Sequence, residues 1–449
     1  MAGKRGKRRG SDSRPRIPPP APYWWVQEPN GAIWAQLILS EHDDSLGLTL
    51  WRAARVARLF IDSTEKARSR LTHAKWPVLR RVFALDEVDI PEALRHSIEV
   101  FPKLFSRDES VSELEIAEAC TRVAQWADEN WKAATAFQFA ELAAKAQPSA
   151  PQRALYAGRV CRGLGFFDRA SVWFERGFRL AVQQGNRSET VRALLGQGAL
   201  MQECGRLDEA QRWFIKAARR AARTGRKKRA AEVRHDLMAL AAERGDFSTT
   251  VEHARVAVDL YPLRHHRLPF LAHDFAFALL RQGFFPLALG LLEVFVRVIP
   301  PRLLLPGLAT FAWAAAARGA HPRYYDAERR ALQQIALDEQ HAAASLVILA
   351  QAACAARSWD RAEHHAVAAI EAAQRRNQKR YEQDAQALLE AIRQRTLLPA
   401  SPDEVPDAVL DEVKALVRHL LVRVRRWKPR DPSFSDPPAN SRKVSGGDG

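Results

Sequence analysis

The chain has 449 residues and carries 69 Lys and Arg against 52 Asp and Glu, a formal net charge of +17. Its four cysteines, Cys120, Cys161, Cys204 and Cys354, lie far apart with no C-x-x-C among them, which argues against a disulfide framework and for a reducing compartment. No run reaches the roughly eighteen apolar residues of a membrane span, so a transmembrane protein is not expected.

In chain order, Met1 to Arg16 holds seven bases against Asp12, and Pro18-Pro19-Pro20-Ala21-Pro22 stands where a signal peptide would place its apolar segment. Residues 1–32 therefore read as a disordered basic and proline-rich tail, with Tyr23-Trp24-Trp25 expected to tuck back onto the folded body. Residues 33–110 read as a helical N-terminal cap region, in which Leu50, Trp51, Ala54, Ala57 and Phe60 share one helix face. Arg52, Arg55, Arg58, Lys66, Arg68 and Arg70 make that region basic, which raises a helix-turn-helix DNA reader. No turn glycine and no recognition face accompany them, and a cap for a following array is the reading preferred. Glu41-His42-Asp43-Asp44 reads as N-terminal capping of the next helix.

Ser112-Glu113-Leu114-Glu115 has the form of a capping box and opens a degenerate unit that closes at Pro148. From Pro151 onward a series of marks recurs at intervals of forty. Gly158, Gly165, Ala170 and Phe174 return as Gly198, Gly205, Ala210 and Phe214, and the series survives as Gly245, Ala254 and Ala257. Such periodicity marks a solenoid, because one unit cannot bury its own apolar face and must stack on neighbours. Gly205 sits where a first helix must turn into a second, and Asp208 reads as the N-cap of that second helix. Ala210, Trp213, Phe214, Ala217 and Ala221 then form one apolar stripe. Gly283 to Ala288 echoes Gly165 to Ala170, Leu303 to Ala317 reads as a buried repeat helix, and Trp359-Asp360-Arg361-Ala362 echoes Phe167-Asp168-Arg169-Ala170.

The repeats are expected to fill 111–395. Residues 396–430 read as a proline-punctuated linker, Thr396 to Pro406, and a C-terminal amphipathic helix, with 431–449 a disordered tail. The helix carries Val409, Val413, Leu416, Leu420, Val424 and Trp427 in one stripe, expected to cover the open end of the array. Arg423, Arg425, Arg426 and Lys428 at its end raise membrane-surface binding as a lesser alternative.

The recurring marks resemble the tetratricopeptide repeat in its form of about forty residues. That family has small residues at the eighth and twentieth positions and an aromatic at the twenty-fourth, matched by Gly158, Ala170 and Phe174 and by Gly198, Ala210 and Phe214. The third unit departs with Met238, Thr250 and Ala254, although its closing Leu260-Tyr261-Pro262 fits. The resemblance implies an all-α, right-handed α-solenoid of helix-turn-helix repeats with helical caps at both ends. It also implies a non-enzymatic protein–protein interaction scaffold or adaptor that binds a peptide segment of a client in its concave groove. By register the inward positions are Gln152, Arg159, Arg162, Arg192, Gln202, Glu203, His235, His273 and Arg281. The Asn-plus-Lys clamp with which some members hold a C-terminal carboxylate is missing.

Phosphate-binding, nucleophile-elbow and zincin motifs are all absent, so no catalytic residue, cofactor or metal is expected. The paired histidines His265-His266 and His364-His365 diverge on a helix, a poor geometry for one metal. The densest charge signal is Arg212, Lys216, Arg219, Arg220, Arg223, Arg226, Lys227, Lys228 and Arg229, with no acid among them. Second helices line the convex side in the family resembled, which implies an exposed patch there. The alternative function is accordingly a nucleic-acid-associated regulatory protein using this patch around 212–229 and the basic tails. No aromatic interleaves with these bases, so single-strand stacking is not expected. The preference for Arg over Lys and the Ala-rich helices suggest a bacterial, cytoplasmic protein.

Overall fold

The computed structural model describes residues 37–71, 76–83, 85–106, 110–223, 225, 227–376, 378–396 and 407–427. The Tyr23-Trp24-Trp25 cluster, Arg226, Lys428, most of the proline-punctuated linker and both expected tails lie outside them.

Every regular element among the described residues is helical. Four helices come first: α1 (Asp44–Asp62), α2 (Glu65–Leu71), α3 (Trp76–Val82) and α4 (Glu92–Lys103). Helix pairs then follow one another: α5 (Glu113–Glu129) with α6 (Ala133–Ala146), α7 (Pro151–Gly163) with α8 (Phe167–Gln183), and α9 (Arg187–Glu203) with α10 (Leu207–Ala222). The series continues with α11 (Lys227–Glu243) and α12 (Phe247–Leu260), then α13 (Leu268–Arg281) and α14 (Phe285–Phe295). After α15 (Leu304–Ala317) and α16 (His321–Ile335) come α17 (Glu339–Ala355) and α18 (Trp359–Arg375), a single α19 (Lys379–Gln394) and finally α20 (Asp407–Arg426). This is an α-solenoid of helix-turn-helix units.

One backbone feature sets the pairs. The turn between first and second helix needs a left-handed residue, and Gly165, Gly205, Gly245, Gly283 and Gly319 take φ of 69–79° there. In the pair made by α5 and α6 the same place holds Trp131 at φ 60°, and between α17 and α18 it holds Arg357 at φ 56°. A residue with a Cβ is strained in that region by about 1–2 kcal/mol. Arg357 is exposed and its side chain makes no hydrogen bond or ion pair among the described residues. Arg357→Gly is therefore expected to stabilise the protein by about 1 kcal/mol, less the extra entropy of an unfolded glycine. A raised thermal midpoint would show it, whereas an unchanged or lowered one would mean that the strain is not stored there.

Packing follows from small residues facing large ones. Phe174 of α8 enters a hole between two first helices: a Cβ on Gly158 would lie 2.9 Å from its ring, and one on Gly196 would lie 2.5 Å away. Phe214 of α10 sits likewise over Gly198, where a Cβ would come within 2.3 Å. First helices of consecutive pairs pack directly on one another, as α9 does on α7 and α11, while second helices mainly touch their own partner and the next first helix. First helices thus line the inner side and second helices the outer. Leu304–Ala317 is apolar nearly all round and is buried accordingly.

At the N-terminal end α1 lies on α4 and α6, and α4 on α5. The capping box at Ser112 and Glu115 is formed as the sequence suggests. Glu41 does not cap its own helix. Its carboxylate accepts from the Ala134 and Thr135 amides at 2.6 and 3.0 Å, closing the N-terminus of α6. His42 stacks on Trp126 beside it, and burial lowers its imidazole to about 4. The cations of the N-terminal region are largely spent on the fold: Arg52 donates to the Val82 carbonyl at 2.7 Å and Arg68 to that of Phe60 at 2.8 Å.

Two further expectations are corrected. Helix α10 starts at Leu207 with Arg206 at the cap, so Asp208 lies inside the first turn and pairs instead with Arg244 of the next unit at 2.5 Å. Helix α20 does not cover the end of the array. It returns to the outer side of α12 and α14 and touches α13 as well. There Trp427 donates to the His265 carbonyl at 3.1 Å, and Arg255 pairs with Glu412 at 3.0 Å. The reason is local: α14 is only 11 residues long, shorter than the other second helices, and it leaves apolar surface that Val413, Leu416, Val417, Leu420 and Val424 bury. The same burial removes the stripe from any membrane surface.

Candidate interaction surfaces

The inner side is built by the first helices, whose residues recur at equal register from one unit to the next. Their C-terminal ends carry a polar row. Arg162 of α7 pairs with Glu203 of α9, and Gln202 donates to Glu243 of α11 at 2.7 Å. Arg281 of α13 donates to the Ala242 carbonyl at 3.0 Å.

The array curls far enough for its last units to touch the second and fourth pairs on this row. Arg376, at the end of α18, donates to the carbonyl of Gly163, 213 positions away in sequence. Arg380 of α19 pairs with Glu243 at 2.9 Å, and burial raises the Glu243 carboxyl against the pull of Arg380. A Cβ on Gly165 would stand 2.6 Å from the Arg376 carbonyl oxygen, so this glycine serves both the turn and the closure. The sequence offered no sign of this contact.

The nine positions expected to face inward therefore fall into three groups. Arg162, Gln202, Glu203 and Arg281 belong to the row at the helix ends, and the first three lie where the array closes. His235 and His273 are buried among the helices and do not line an open groove. They are 1% and 7% exposed, and Asp274 takes a hydrogen bond from each at 2.9 Å. Gln152 is exposed, while Arg159 and Arg192 are half-buried and pair with Asp128 at 2.5 Å and Glu189 at 2.8 Å.

The outer side is different in chemistry. Arg212, Lys216, Arg219, Arg220, Arg223 and Lys227 are exposed. Lys228 and Arg229 are half-buried, and Arg229 is not part of a free patch: it pairs with Glu232 at 2.5 Å and donates to Ser188 at 2.9 Å. One aromatic does join the bases, since Lys216 lies 4.4 Å over the ring of half-buried Trp213.

A buried carboxylate held by an arginine and by a residue one turn on occurs near each end of the array. Arg169 of α8 makes two bonds of 2.5 Å to Glu141 of α6, and Trp173, one turn on, donates to the same carboxylate at 2.8 Å. Arg361 of α18 repeats this with Glu328 of α16 at 2.7 Å, and His365, again one turn on, bonds Glu328 at 2.8 Å. Sequence reasoning found the echo of the Asp-Arg-Ala segments but missed their partners. A signal existed: α6 is apolar nearly all round, and a polar residue inside such a helix must be partnered.

No His, Cys, Asp and Glu cluster able to hold a metal occurs among the described residues. Cys120 and Cys161 are buried, and burial raises both thiols out of the reactive range. No described helix is long and apolar enough to cross a membrane.

No protein-family model and no curated protein matches the sequence. Among solved structures, the Rap protein complexed with competence and sporulation factor aligns over 84% of this chain and 100% of its own, with 10% identity and a TM-score of 0.34. The P58(IPK) TPR domain aligns over 70% of this chain and 97% of its own, with 14% identity and a TM-score of 0.19.

Proposed function

We propose that this protein is a non-enzymatic interaction scaffold whose inner side receives an extended segment of a client protein. One observation carries the reading. Gln152 on α7 and Arg192 on α9 stand at matching register on consecutive first helices that pack on one another. An extended chain laid across such helices meets a new polar group at each unit, the way solenoids build long concave binding surfaces. Arg376 and Arg380 contact the C-terminal ends of α7 and α11, which leaves Gln152 and Arg192, nearer the N-terminal ends of α7 and α9, for the client.

Photo-crosslinking on the full chain tests this. A crosslinking residue replacing Gln152 or Arg192 is expected to trap the same discrete client, and one replacing exposed Leu332 on the outer helix α16 is expected to trap none. Each variant must keep the wild-type melting temperature. Adducts from Leu332 alone would place the working surface on the outer side and end the groove reading.

A further inference from the structure

The acids of this protein are distributed so that most cations of the array are answered. On α8, Arg176 donates to the Pro148 carbonyl at 2.7 Å and Arg179 pairs with Glu175 at 2.5 Å. One unit later the same two register positions are Lys216 and Arg219 of α10, and there the pattern stops. Arg212, Arg219, Arg220, Arg223 and Lys227 make no hydrogen bond or ion pair among the described residues, and Lys216 contacts only the Trp213 ring. The acids at the start of α10 cannot serve them, because Asp208 is held by Arg244 and Glu209 by Arg206.

The arrangement is linear. Arg212, Lys216, Arg219 and Arg223 follow one another at four, three and four residues along one face, a row of about 16 Å at the rise of an α-helix. Uncompensated cations repel one another, so the row is completed by a dense, line-shaped anion. A membrane does not fit, since the apolar face of α10, with Ala210, Phe214, Ala217 and Ala221, is buried in the array. A single strand does not fit either, because the Trp213 ring is half-buried beneath Lys216 and offers no stacking platform. Duplex nucleic acid carries one charge per roughly 1.7 Å of axis, about twice the density of a fully acidic extended peptide at about 3.3 Å per residue. Its major groove of about 12 Å also admits a helix of about 10–12 Å. Guanidinium groups suit phosphate because they bond it bidentately. The one neutral amide beside the row, Gln211, is engaged by Arg244 at 2.8 Å, which leaves charge as the main chemistry of this face.

We propose that the outer face of α10 is a sequence-independent binding surface for the phosphate backbone of duplex nucleic acid. The surface is separate from the inner side, so it stands or falls independently of the client reading.

Fluorescence anisotropy on the full chain tests it, with a random-sequence DNA duplex of about 20 base pairs at salt from about 50 to 200 mM. Each neutralised phosphate adds about −0.9 to the slope of log affinity against log salt, so four contacts give about −3.6 and a loss of roughly 100-fold over that range. The variant Arg212→Ala, Arg219→Ala, Arg223→Ala keeps good helix formers on a solvated face, and its melting temperature should match the wild type. It is expected to weaken binding at every salt and to reduce the slope by two to three units, roughly one per arginine. Equal slopes for wild type and variant would overturn the proposal and assign phosphate binding to the basic terminal segments. Absence of duplex binding at about 50 mM salt would overturn it outright. Tighter and equally arginine-dependent binding of polyglutamate would replace the duplex with an acidic protein, and the same result with a single strand of equal length would remove the preference for a duplex.

Discussion

Glu141→Ala should cost about 3–5 kcal/mol, the range found when one partner of a buried ion pair is removed. Glu141 and Arg169 are 1% and 5% exposed, so the guanidinium cannot turn to water when its partner is lost. Arginine does not escape by losing its proton at any working pH, and the Trp173 N–H loses its acceptor in the same step. The loss should surface as early unfolding of the first two helix pairs, because the bond joins α6 to α8. Chemical denaturation of the single variant measures the total. The double variant Glu141→Ala, Arg169→Leu provides the control, since a buried pair replaced by apolar groups is often close to neutral. If the double variant is as unstable as the single one, the cost comes from lost packing and the stranded-charge account is wrong.

Phe214→Ala should cost a similar amount, about 3–5 kcal/mol, through the cavity it leaves. The ring is fully buried, and its neighbours include Gly198, which has no side chain to move into the space. A partner substitution gives this prediction a sign. Gly198→Ala alone drives a Cβ to 2.3 Å from the ring and should destabilise by about 1–3 kcal/mol through overpacking. In the Phe214→Ala background the added methyl enters vacated space, and the two losses should add to less than their sum. Simple additivity in thermal and chemical denaturation would show that the two residues do not share one packing site.

What the sequence disclosed about the fold is what the backbone demands locally. A left-handed turn calls for glycine, so Gly165, Gly205 and Gly245 could be read directly, and Phe214 followed from helical spacing. Trp131 and Arg357 make the same turn without glycine, and nothing in their identity announces it. The second-helix assignment of α10 was legible, but the start of that helix was two residues off, which misplaced Asp208 as a cap. The site was less legible than the fold. His235 and His273 fall on first helices as register implies, yet Asp274 draws both rings into the packed interior, a matter of side-chain partners that spacing alone does not encode. The landing place of α20 depends on the shortness of α14, and that shortness is visible only once both helices are placed.

A linear array of repeats has two free ends, and each can fray without consulting the other, because every unit touches only its neighbours. The bond from Arg376 to Gly163 and the pair between Arg380 and Glu243 remove that independence. The units from α7 to α19 form a circuit, so opening the last pair exposes the second, and loosening the second deprives the last of its support. Cooperativity then comes from topology as well as from nearest-neighbour contacts. The closing contact spans more than two hundred residues of chain, and such a contact forms late, after the loop it closes has been organised. Folding of this solenoid therefore has a finishing step that open arrays lack, and the circuit acquires its full stability only when α19 and the end of α18 have met α7 and α11.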